Sequence, residues 1–233
     1  MYKNNYNFDI YERHEIINQL IKAKKYKTYL EVGTDQGDTF DKINIKSKEC
    51  CDIADNIKPE YKFKLTYHMS SDEMFDRMPI DKKYDIIFLD GMHDEKYLDR
   101  DIINALKHLN KNGVIICHDT MPTNVLYSRK YVLSDVITNI GWTGDVYKSI
   151  LKLQEQNISF YTLINAIHGM TIINYYDNPY NLKVPTNIND NDYYYIFNND
   201  IYNTEYHPNL TMQGMFAMHA INYEQFKEIY NIK

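Results

Sequence analysis

The sequence predicts an α/β fold, a parallel sheet with helices on both faces, and three observations predict it. Strand-like runs alternate with helical patterns from about residue 12 to residue 175, the runs are apolar enough to be buried on both faces, and each hands over to polar residues at its end. Ligands of such sheets bind in the crevice outside the carboxyl ends of the strands. The strand ends are therefore where chemistry is sought.

The elements follow in order. Residues 13–25 place Ile16, Ile17, Leu20 and Ile21 on one helical face, with Lys22, Lys24 and Lys25 near the end, where cations suit the helix dipole. TYLEVG is a strand stopping at Gly33, and a helix opens near Asp38 or Thr39. KSKECCDI is a second strand ending at Asp52, YKFKLTYHM a third ending near Ser70 and Ser71, and YDIIFLD a fourth ending at Asp90. Leu98, Ile102, Leu106 and Leu109 mark a helix over residues 97–109; Asn112-Gly113 then turns into the strand VIIC, which ends at His118 and Asp119. A helical pattern follows Pro122 (Val132, Val136, Ile137, Ile140), then GWTGDVYKSI, then ISFYTLI and GMTIINYY as a closing antiparallel pair. From residue 179 the texture turns rich in Asn, Asp, Pro and Tyr, with a final helix around 222–230. The expected organisation is a domain over 1–178 and a C-terminal extension or lid over 179–233.

Composition narrows the function. A net charge of -6 without a single-sign block speaks against a nonspecific grip on nucleic acid. Three cysteines, Cys50, Cys51 and Cys117, are too few for a disulfide framework and read as reduced core residues. The absence of a signal-like start or a membrane-length apolar run leads to the expectation of a cytoplasmic protein with no membrane partner. Oligomeric state is left open, with a homodimer compatible.

Five strand ends carry candidate chemistry. Glu31-Val32-Gly33-Thr34-Asp35-Gln36-Gly37 lacks the G-x-G-x-x-G spacing of a dinucleotide site, and its carboxylates would repel a pyrophosphate; they suit a ligand bearing an ammonium. Asp52, at the next strand end, can accept both hydroxyls of a ribose. Ser70-Ser71-Asp72 can face an adenine amino group or simply cap a helix before Glu73. Asp90 and His93, with His118 and Asp119 on the neighbouring strand, offer either oxygen ligands for a magnesium-like cation or a histidine general base. Trp142, Asp145 and Lys148 either line an acceptor pocket or anchor a helix.

On YLEVGTDQGDTFDKI, KSKECCDI, SSDEMF, YDIIFLDGMHDEKYLDRDIINALKHLNKNGVIICHDTMP and GDVYKSI, the chain resembles class I S-adenosylmethionine-dependent methyltransferases of the small type associated with glycan biosynthesis. The resemblance implies a Rossmann-like, doubly wound, seven-stranded sheet of order 3-2-1-4-5-7-6 with strand 7 antiparallel. It implies Glu31, Gly33 and Gly37 at the methionine part, Asp52 at the ribose and Ser71 and Asp72 at the adenine; Thr39 and Asp90 join this cofactor-binding set. A more distant similarity to metal-dependent catechol-type and antibiotic-sugar O-methyltransferases implies metal ligands at Asp90, His118 and Asp119, with Mg2+ as the cation, and matches His93 to a catalytic lysine. His118 departs from that pattern, which has a carboxylate there.

The expected reaction is O-methylation of a hydroxyl on a sugar or other small molecule, with His93 or His118 as base and Asp90 and Asp119 orienting the base or holding a cation. The residue 179–233 segment, with Tyr193 to Tyr195, would cover the acceptor. Rivals are a nicotinamide-dependent oxidoreductase, a non-enzymatic cofactor-binding partner, and methylation of protein or RNA.

Overall fold

The computed structural model describes residues 2–3, 9–122, 127–128, 142–156, 158–174 and 218–233. The helical pattern expected at Val132 to Ile140 and the tyrosines Tyr193 to Tyr195 lie outside the described residues.

Strands β1 (Tyr2–Lys3) and β2 (Asp9–Ile10) pair antiparallel as a separate two-stranded sheet. Helix α1 (Arg13–Lys24) follows, its Glu12 backbone N–H held by the Glu15 carboxylate at 2.9 Å and its end closed by Lys25 in the left-handed region. The main sheet contains β3 (Thr28–Val32), β4 (Ser47–Asp52), β5 (Tyr67–His68), β6 (Tyr84–Leu89), β7 (Leu109–His118), β8 (Phe160–Leu163), β9 (Met170–Asn174) and β10 (Ala220–Ile221). Between them lie α2 (Asp38–Asp41), α3 (Ser71–Arg77), α4 (Glu95–Lys107) and α5 (Tyr147–Glu155), and α6 (Tyr223–Tyr230) ends the chain.

The sheet order is β10-β8-β9-β7-β6-β3-β4-β5, with β9 antiparallel to both neighbours and every other pairing parallel. Counted from β3, this is the 3-2-1-4-5-7-6 order, extended by one strand, β10, beyond the expected seven.

Strand alternation builds two cores. Leu30, Val32, Ile87, Leu89 and Ile115 face α3, α4 and α5 with Leu98, Ile102 and Ile150, while Tyr29, Ile86, Phe88 and Ile116 face α1 and α6 with Ile16, Leu20 and Phe226. Ile221, Phe226 and Tyr230 belong to the second of these layers, and Met218 to the first. Tyr223 stacks on Tyr11 with ring centroids 3.8 Å apart and hydrogen-bonds Gln19, and the Tyr230 hydroxyl donates to Asn174 at 2.9 Å. Cys50, Cys51 and Cys117 are buried free thiols, as expected.

Two strands differ from the sequence reading. The third reaches only Tyr67–His68, because the Thr66 hydroxyl, not a backbone carbonyl, meets the Cys50 N–H at 3.2 Å and Phe63 turns away onto Phe40. The fifth starts earlier, at Leu109: the register shifts between the Tyr84↔Leu109 and Ile86↔Val114 pairs, so Asn112 (φ 68°) and Gly113 form an irregularity inside β7 and not a turn before it. The polar character of β4 is also accounted for, since Glu49 gathers Lys82, Tyr67 and Tyr84 around its carboxylate.

Candidate active site

Five parallel strands end on one side of the sheet, and their loops enclose a cleft of about 560 Å³. Its wall includes Glu31, Gly33, Thr39, Asp52, Ser71, Asp72, Asp90, His93 and Asp119 from the sequence-predicted set. Gly37 and His118 are not on that wall.

Close packing explains Gly33 better than ligand contact does. It has φ +83°, and a Cβ there would stand 2.1 Å from the Asp90 carbonyl oxygen, so the glycine lets the ends of β3 and β6 touch. Asp52 accepts the Asp35 N–H at 2.8 Å on one oxygen and the Ala54 N–H at 3.0 Å on the other, which fixes the carboxylate at the cleft edge. Ile53, next in sequence, and Met92 are both large apolar side chains on the cleft wall, with 73% and 60% exposure. Ser70 caps α3 in a reciprocal pair with Glu73, and Asp72 is held by Arg100 at 2.9 Å.

The floor holds a charge cluster. Asp90 Oδ2 accepts from Arg13 Nη1 at 2.6 Å and Asp90 Oδ1 faces His118 Nδ1 at 3.1 Å. Burial alone would raise the Asp90 pKa, but His118, Arg13 and His93 outweigh it and hold the carboxyl well below its usual range. His118 Nε2 lies 2.9 Å from the Ile167 carbonyl, and Nδ1 also lies 3.2 Å from Asp119 Oδ2. Both ring nitrogens face acceptors, and Nδ1 lies within 3.2 Å of two carboxylates. Burial opposes a charge on the ring, yet Asp119 and Asp90 push the His118 pKa up to about 10. Glu31, buried against the Tyr29 hydroxyl, is pushed up to about 8, chiefly by burial against the opposing hydrogen bond, with the Asp90 charge adding.

His93 differs from His118 in access: its side chain is 25% exposed against 6%. Its Nδ1 donates to the Trp142 carbonyl at 3.1 Å, and its Nε2 stands 3.0 Å from Asp119 Oδ2. Gly144, at φ +64°, allows this approach, because a Cβ there would sit 1.7 Å from the His93 carbonyl oxygen. Trp142 therefore orients the imidazole through its backbone and packs on it, ring centroids 5.0 Å apart, while Asp145 caps α4 at the Glu95 N–H. Asp119 itself is buried at φ 58°, a conformation that Asp tolerates better than most residues and that aims its carboxylate between the two histidines.

The set expected to hold a metal was Asp90, His118 and Asp119. Ligand atoms of Asp90, His93 and Asp119 converge within 4.8 Å of one another, and His118 Nδ1 lies 3.1 and 3.2 Å from the two carboxylates. Magnesium requires oxygen ligands in near-octahedral array. Here Arg13 and the His118 imidazolium already balance the two carboxylates, and the remaining donor is a nitrogen. The donor set does not suit magnesium.

Sequence reasoning missed Arg13, Ile53, Met92 and Asp101, all on the cleft wall. A signal existed for Arg13: the chain strongly prefers Lys among its 26 basic residues, and Arg suits a two-pronged carboxylate contact.

Residues 17–120 match the family model described as a methyltransferase domain. No curated protein sequence matches the chain. Among solved structures, an O-methyltransferase from Bacillus cereus in complex with SAH is similar at 14% identity, covering 70% of this chain and 80% of that one, with a TM-score of 0.49. An O-methyltransferase of tomaymycin synthesis from Streptomyces achromogenes, in complex with SAM, is similar at 11% identity, 71% and 80% coverage and a TM-score of 0.48. The family match covers less than half of the chain, and the sheet order is the one that the resemblance to class I methyltransferases implies. No helix among the described residues is long and apolar enough to cross a membrane.

Proposed function

We propose that the protein is a cytoplasmic O-methyltransferase acting on a hydroxyl of a sugar or other small molecule, with His93 as general base. The observation that carries this reading is the cleft itself: the Asp52 carboxylate stands at the end of β4 beside exposed Ile53, with Met92 and the carboxyl groups of Glu31, Asp90 and Asp119 on the same wall. Such a wall suits a ligand with a flat ring, a ribose and positive charge, and repels a pyrophosphate, which disfavours a nicotinamide cofactor.

S-adenosylmethionine supplies a methyl group on a sulfonium; in-line displacement forms an O–C bond, breaks the C–S bond and leaves a neutral thioether. The chain aligns donor and acceptor and removes the acceptor's proton. His93 Nε2 takes that proton, the Asp119 carboxylate at 3.0 Å stabilises the resulting imidazolium, and the Trp142 carbonyl fixes the ring. His118, enclosed and hydrogen-bonded on both sides, positions Asp90 and Asp119 and is not the base. Asp52 holds the ribose and Glu31, Gly33 and Thr39 surround the methionine part.

The test is transfer of isotopic methyl from S-adenosylmethionine to a panel of sugar and phenolic hydroxyl acceptors. Labelled product with wild type, and at least a hundredfold less with His93→Ala at unchanged donor affinity, supports the reading. Labelling of protein or RNA in place of every small acceptor contradicts it.

A further inference from the structure

The loop between β8 and β9, residues 164–169, is tightly built. The Gly169 N–H donates to the Ala166 carbonyl at 3.0 Å, and His168 (φ 58°) and Gly169 (φ 76°) both lie in the left-handed region. The loop sits against the segment that follows Asp119: the Met121 N–H donates to the His168 carbonyl at 2.8 Å, and a Cβ on Gly169 would stand 2.4 Å from the Met121 Cβ. From this loop the Ile167 carbonyl, which can only accept, meets His118 Nε2 at 2.9 Å. A backbone group makes that contact, so its geometry depends on what anchors the loop.

One anchor is Asn165, only 6% exposed. Its carbonyl accepts the Tyr11 N–H at 2.8 Å, and its side-chain Oδ1 accepts the N–H of Tyr223, the first residue of α6, also at 2.8 Å. The Tyr11 and Tyr223 rings stack on each other, and the Tyr223 hydroxyl donates to Gln19 of α1. Tyr11 lies two residues before Arg13, and Asn165 two before Ile167. The two basic partners of Asp90, Arg13 and His118, are therefore held by chain segments that meet at one buried amide, and the C-terminal helix closes the junction.

We propose that Asn165 is a positioning residue: by joining the chain before α1 and the start of α6 to the β8–β9 loop, it keeps the Ile167 carbonyl on His118 and Arg13 on Asp90, so that residues 218–233 brace the charge cluster. Its bearing on turnover rests on the methyl-transfer reading. Asn165→Ala leaves the Tyr223 N–H without this acceptor, whereas Asn165→Asp keeps an oxygen there and places a negative charge at a helix N-terminus, where it is favourable.

The experiment is NMR of the ligand-free protein with 15N-labelled histidine, reading the exchange with water of the His118 Nε2 proton, identified by its absence from His118→Asn. Asn165→Ala should speed that exchange at least about tenfold, and Asn165→Asp should bring it back to within about threefold of wild type. Ile102→Val, which loosens the other core layer, should leave it unchanged. In methyl transfer, Asn165→Ala should lower kcat about tenfold and keep the S-adenosylhomocysteine Kd within about threefold, since Asp52 is held by Asp35 and Ala54. Should Asn165→Ala not fold, Tyr223→Ala, which keeps the N–H but removes the ring stacked on Tyr11, is read in the same way. No slowly exchanging His118 proton in wild type, unchanged exchange in the folded variant, or equal speeding by Ile102→Val overturns the inference. Wild type that transfers no methyl group while the exchange results hold contradicts the methyl-transfer reading and leaves the brace supported.

Discussion

Arg13 Nη1 lies 2.6 Å from Asp90 Oδ2, tying the first turn of α1 to the end of β6 across 77 residues of sequence. Asp90 is almost wholly enclosed, so its charge depends on Arg13 and His118 for compensation. Arg13→Ala should destabilise the fold by about 2 kcal/mol, less than a fully buried pair would cost because the guanidinium is one-third exposed. Urea denaturation of the two proteins checks this, and a change below about 0.5 kcal/mol would show that the pair is dispensable.

His93 and His118 should separate cleanly by kinetics. His93→Gln removes the proton acceptor while leaving the cluster beneath it, so turnover should fall about a hundredfold or more with the donor Kd unchanged. Comparable turnover in variant and wild type would assign the base elsewhere.

The His118 imidazolium gives the fold a pH dependence. Its pKa is raised on folding from 6.5 to about 10, so its contribution is fully present below pH 6.5 and is lost as pH rises through about 10. Melting temperature should therefore fall between pH 7 and 10 by an amount on the order of 3 kcal/mol in stability, and His118→Asn should flatten that profile. Parallel profiles for the two proteins would show that the ring is not charged in the folded state.

Chelation bears on the cluster from another side. Since Arg13 and His118 occupy the charge that a magnesium ion would otherwise balance, activity measured after treatment with EDTA should stay within about twofold of the untreated protein. Loss of activity restored by added divalent cation would mean that a cation displaces the His118 proton.

Much of this architecture can be read along the chain, and the reason is local. The apolar runs of β3, β6 and β7 alternate side chains between two cores, so each strand and the polar residue at its end stand out: Asp52, Asp90 and Asp119 were all legible in this way. The amphipathic stripes of α1, α4 and α6 were legible for the same reason. Arg13 and Asp101 were not, because each is a single polar residue in a helix whose partner lies on a distant strand or helix end, and periodicity carries no information about that partner. The roles of the histidines depend on the carbonyls of Ile167 and Trp142, 49 residues from the rings they meet, contacts that only the closed sheet creates. The short β5 and the added β10 are edge strands, where side chains and chain ends decide pairing as much as hydrophobic pattern does.

In the proposed function the cleft binds the methyl donor through Asp52. Calorimetry of S-adenosylhomocysteine on wild type and Asp52→Ala, with circular dichroism to confirm that both are folded, tests it most directly. Wild type should bind with micromolar affinity and the variant at least tenfold more weakly. Equal binding by the two proteins would contradict the ribose assignment, and no binding by folded wild type would contradict the donor site altogether.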